Sequence, residues 1–134
     1  GVEYMYHVPC HSPLKRHGTK AAIESLLGQD AVKSEECCGE AGTMAVAHPQ
    51  IAGKIRTRKE EQMQLAKAQL PGENPQKILT SCPSCFQGLS RLEDQSGVKA
   101  DYIVIELVRH LHGDDWQKQF IQKVKNGGIE RVLM

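Results

Sequence analysis

The chain has 134 residues, 17 of them basic and 16 acidic, with 40% hydrophobic, 25% charged and only 4% aromatic residues. A formal charge of +1 leaves no electrostatic footprint for nucleic acid or anionic lipid, and the few aromatics leave little surface for base stacking. The longest strongly apolar run, "YIVIELV", is far shorter than the roughly 18 residues a membrane-crossing helix needs, and a mean hydropathy of -0.44 suits a water-soluble globular protein.

Read in chain order, "VEYMYH" (2–7) is a short strand, and "HGTKAAIESLLG" is a helix entered near Gly18 and stopped at Gly28. "DAVKSEE" (30–36) is a second strand. Pro49 then opens a helix through "QIAGKIRTRKEEQMQLAKAQL" that ends before Pro71 and Gly72. "QKILTS" is a third strand, followed by a helix from about Ser84 to Gln95. "ADYIVIEL" is a fourth strand, and "DDWQKQFIQKVKN" a last helix capped by Gly127 and Gly128, with Trp116, Phe120 and Val124 facing the core. Alternating strands and helices predict an α/β fold, a three-layer Rossmann-like domain with a parallel sheet, and residues 1–134 read as a single domain. The start at Gly1, directly on a strand, reads as a domain excised from a longer chain, and the absence of a secretory pattern there suits the cytoplasm.

Ligands in such sheets lie beyond the carboxyl ends of the strands. All five cysteines fall there: Cys10 after the first strand, Cys37 and Cys38 after the second, Cys82 and Cys85 after the third. An odd number of cysteines cannot form a complete intramolecular disulfide set, and a reducing compartment favours thiolates that bind metal or do redox chemistry. "CPSC" (82–85) spaces two thiols for one metal or for a dithiol couple at a helix N-terminus. Zinc would use four of the five thiolates, whereas a polynuclear iron-sulfur site has iron for all of them.

Around these thiols, Gly39 and Gly42 in "CCGEAG" would let backbone N–H groups approach the sulfurs, and Pro9 and Pro83 would shape the loops. His11, next to Cys10, is the histidine expected near the site. His7, His17, His48, His110 and His112 read as packing, capping or solvent residues, and "RTRKEEQ" (56–62) as a solvated helix face with an Arg56–Glu60 pair.

"HVPCH" (7–11), "CCGEAGT" (37–43) and "CPSC" (82–85), in that order, resemble the cysteine-rich CCG domain of heterodisulfide reductases and of the iron-sulfur subunits of glycolate- and lactate-oxidising enzymes. "CCG" followed by "AGT" looks closest to the second branch. The resemblance implies that Cys10, Cys37, Cys38, Cys82 and Cys85 are metal ligands, with Pro9, His11 and Gly39 around them. It implies a 4Fe-4S type cluster, noncubane in the reductases, or zinc in other members. FAD would sit elsewhere in the full-length enzyme. The expected function is electron transfer within an FAD-linked 2-hydroxy-acid oxidoreductase, the domain not being active alone. The partners implied are FAD-binding and ferredoxin-like domains or subunits, and the location is cytoplasmic or peripheral at a membrane through that parent complex. The alternatives are a zinc-stabilised structural or interaction domain and, more weakly, a dithiol oxidoreductase using Cys82 and Cys85.

Overall fold

The computed structural model describes residues 1–40 and 42–127. Four strands, β1 (Glu3–His7), β2 (Ala31–Ser34), β3 (Gln76–Thr80) and β4 (Lys99–Tyr102), form one sheet in the order β2-β1-β3-β4, all pairs parallel. Seven helices accompany it among the described residues: α1 (Thr19–Leu27), α2 (Met44–Ala47), α3 (Pro49–Ala68), α4 (Pro83–Ser90), α5 (Glu93–Ser96), α6 (Ile103–His112) and α7 (Trp116–Gly127), with a 3-10 turn at Pro13–His17. The fold is α/β with a parallel sheet flanked by helices, the Rossmann-like class expected from the alternation. The chain divides into a unit from Gly1 to Ile103, which holds the sheet, and a second unit from Val104 onward.

The two central strands are buried on both faces because helices flank the sheet. All five residues of β1 are buried, as are Lys77 to Thr80 of β3. Their register sets Met5 between Val32 and Ile78, and the core closes around Met5, Ile78, Met63, Ala66, Leu89, Leu92, Val98 and Ala100. Helix α3 reaches this core through a stripe at helical spacing, Ala52, Lys59, Met63 and Ala66. Helix α1 buries Ile23 and Leu27 and ends where Gly28, in the left-handed region at φ 69°, returns its N–H to the Glu24 carbonyl.

Below the sheet, at the amino ends of the strands, the Glu3 carboxylate accepts from the backbone N–H groups of Gly72, Glu73 and Asn74 and from the Gln76 amide at 2.8–3.1 Å. Burial alone would push its pKa up, but these four donors outweigh it and hold the group below its ordinary value. This contact ties the first strand to the turn that delivers the third.

Four expectations differ from the observed elements. "YIVIELV" is not one strand: β4 stops at Tyr102 and α6 begins at Ile103, where burial of Ile103 and Glu106 with Val104 exposed follows a three-residue period. Its run of β-branched residues imitated a buried strand, an ambiguity inherent in short apolar segments. The helix expected from Ser84 to Gln95 is two, α4 and α5, with a turn at Arg91 and Leu92. Helix α7 buries none of Trp116, Phe120 or Val124, and Phe120 is 45% exposed. Its Gly128 cap lies outside the described residues. The "RTRKEEQ" face is not wholly solvated, since Lys59 is completely buried and Arg56 reaches across to Glu40 at 3.9 Å.

Candidate metal centre

The strand order places a topological switch between β1 and β3: the chain leaves β1 to one side for β2 and returns on the other for β3. Loops after β1, β2 and β3 therefore open around one crevice at the carboxyl edge of the sheet. A cavity of about 210 Å³ lies there, lined by His7, Val8, Pro9, Cys10, Glu35, Cys37, Cys38 and Cys85. A larger hollow of about 830 Å³ lies at the opposite edge, against Glu3 and Asn74, and no cysteine lines it.

Within the crevice the thiols meet in two groups. The Cys38 and Cys85 sulfurs are buried and 3.4 Å apart, and Cys82 hydrogen-bonds to Cys85. Cys10, exposed, meets Cys37. Adjacency of Cys37 and Cys38 joins the groups, so thiols from three loops form one connected set. All five are free thiols.

The loop after β2 is shaped for this. Gly39 is buried in the left-handed region at φ 77°, and a Cβ there would sit 3.3 Å from Ile55. That conformation turns its N–H onto the Cys37 sulfur at 3.3 Å, and the next N–H, of Glu40, onto Cys38. Glu40 is in turn held by Arg91 at 2.7 Å, which anchors the loop to the end of α4. Gly88 of α4 completes the fit: a Cβ there would lie 2.5 Å from Glu40 Cγ and 3.2 Å from the Cys38 carbonyl. After β3, Cys82 forms the N-cap of α4 and Pro83 opens its first turn, which sets Cys85 within that turn, one helical step from Cys82.

The Cys85 hydrogen bond draws Cys38 far below the ordinary thiol range, and the same contact drives Cys85 far above it. Burial raises Cys37, against the Gly39 N–H. His7, the last residue of β1, is 1% exposed, and burial lowers its pKa despite the neighbouring Cys38. It hydrogen-bonds to Cys38, and its Nδ1 is buried with no partner. Ligand atoms of His7, Cys38 and Cys85 all lie within 4.8 Å of one another.

These features fit a thiophilic metal group: clustered soft donors, backbone N–H groups on two sulfurs, and an orphaned buried nitrogen next to them. A scan of protein-family models matches residues 4–90 to the CCG cysteine-rich domain. The chain belongs to the CCG family. In this CCG domain the matched residues contain the whole thiol set, and a second model, a domain of unknown function designated DUF3400, matches residues 90–134. Searches of curated proteins and of solved structures give no match.

Of the residues singled out in the sequence, Pro9 is buried in the cavity wall and Gly39 touches Cys37, while His11 is exposed and does not line the cavity. Two residues were missed: His7, which meets Cys38 and Cys85, and Lys59, which is buried against Ser34. His7 belongs to the quoted "HVPCH", so its place four residues after the start of a buried strand was the available signal. Nothing local distinguished Lys59 from the charged residues beside it.

Proposed function

We propose that this CCG domain holds an iron-sulfur group through Cys10, Cys37, Cys38, Cys82 and Cys85 and passes electrons for an FAD-linked 2-hydroxy-acid oxidoreductase of the lactate- or glycolate-oxidising kind. The observation that carries the metal-binding part is the joining of five free thiols from three loops into one set at the sheet's switch point. When bound, such a group supplies one-electron transfer. The chain's own residues do the rest. Gly39 and Glu40 direct N–H groups at the sulfurs, the first turn of α4 presents Cys82 and Cys85, and Val8 and Pro9 line the cavity wall. The "AGT" after "CCG" supports the hydroxy-acid branch. The reading carries FAD-binding and ferredoxin-like domains or subunits as partners and a cytoplasmic parent enzyme; no helix among the described residues is long and apolar enough to cross a membrane.

One observation favours a second reading. His7, Cys38 and Cys85 form a buried mixed nitrogen and sulfur set, and with a third thiolate as fourth ligand such a set suits tetrahedral zinc in a structural domain. Iron, zinc and acid-labile sulfide content of protein purified without oxygen separates the two. Several iron and sulfide per chain is expected; one zinc without sulfide would replace the electron-transfer reading with the structural one.

A further inference from the structure

Lys59 is a lysine with no exposed surface in the middle of the longest helix. Its ammonium donates to Ser34 Oγ and, at 3.4 Å, to Gln62 Oε1, and the Ser34 hydroxyl passes a hydrogen bond on to the same Gln62 oxygen. Both partners are neutral, and no ion pair between Lys59 and a carboxylate is found among the described residues. Buried charges are retained when something pairs with them, because desolvating an unpaired ammonium costs several kcal/mol. Ser34 ends β2, stands directly across from His7 in the strand register, and accepts the Val8 N–H through its carbonyl. The ammonium is thus held on Ser34, the strand neighbour of His7, which lines the cysteine cavity. Burial lowers its pKa to about 8, while Cys38, Cys85, Glu36 and Cys37 pull it the other way. Of these four, Glu36 is exposed to solvent, and the three thiols are the buried or half-buried groups.

We infer that Lys59 is the buried counter-cation of the cysteine centre, stabilising the net negative charge that the thiolates carry when they hold a metal. This rests on the reading that the thiols bind metal. Metal binding replaces neutral thiols by thiolates and releases their protons to solvent; with three or four thiolates on a divalent ion the product is anionic. A fixed positive charge beside it favours that product over the less negative metal-free set. The same charge favours the more reduced, more negative state of a redox-active occupant.

The test titrates the metal-free 134-residue chain with cobalt(II) without oxygen and follows the thiolate-to-cobalt absorption in wild type and Lys59→Met. Methionine keeps the chain's length without the charge, and removing a buried charge is compatible with folding. The expected result is cobalt binding weakened about 10–100-fold, the range found for groups that support metal ligands from outside, with an unchanged circular-dichroism spectrum. If Lys59→Met fails to fold, Lys59→Gln, which keeps a donor for Ser34, is read against the same expectation. Equal cobalt affinity in a folded variant overturns the role of Lys59 and leaves the metal site standing. Absence of thiolate-to-cobalt absorption in wild type overturns both.

Discussion

Replacing His7 separates a metal-binding role from a packing one, because the two make opposite demands on the metal-free protein. The unpartnered Nδ1 is a buried polar atom that burial penalises, and an apolar residue of similar size removes that penalty at the cost of one hydrogen bond to Cys38. We predict that His7→Leu leaves the thermal midpoint of the metal-free chain unchanged or higher, while cobalt(II) affinity falls at least about tenfold. A lower midpoint with unchanged affinity would make the imidazole a packing group. The cysteines were legible in the sequence because a thiol announces its chemistry by type, and two adjacent thiols before a glycine have few structural uses. His7 and Lys59 were not. A histidine at a strand end and a lysine among charged residues are usually solvated. What buries them is long-range: the parallel register setting His7 opposite Ser34, and the helix stripe that turns Lys59 toward that same serine.

Between elements, the closest approach at the site is the β2 loop against α4, and Gly88 permits it. Alanine in an ordinary exposed helix position gains about 1 kcal/mol over glycine. Here the added Cβ would collide with Glu40 Cγ, whose carboxylate is fixed by Arg91, and crowd the Cys38 carbonyl. Overpacking of this kind costs about 1–3 kcal/mol, so the sign reverses. Gly88→Ala is predicted to lower the thermal midpoint and to reduce metal retained through gel filtration. Arg91→Ala, which removes a half-exposed ion pair worth up to about 1 kcal/mol, has the smaller effect on both. A Gly88→Ala chain as stable as wild type would mean that the loop shifts without strain. The alternation of strands and helices was readable from apolar periodicity and from Gly and Pro punctuation. The junction of β4 and α6 was not, since Ile103, Val104 and Ile105 are β-branched and only their tertiary surroundings choose the helix.

For the molecule as a whole, the parallel sheet with its switch between β1 and β3 converts three motifs far apart in sequence into one crevice, and this convergence followed from strand order alone once the alternation was recognised. Strand order also separates roles by edge. The amino edge is locked by Glu3 and its four donors, and the carboxyl edge holds the thiols and His7. An account in which the fold exists to bring these donors together is tested most directly by X-ray absorption at the iron and zinc edges, on protein purified without oxygen. It predicts iron bound by sulfur with a neighbouring iron in its scattering shell, and loss of that iron–iron signal in Cys38→Ser. Zinc alone at the site, or neither metal after anaerobic reconstitution with iron and sulfide, would contradict it.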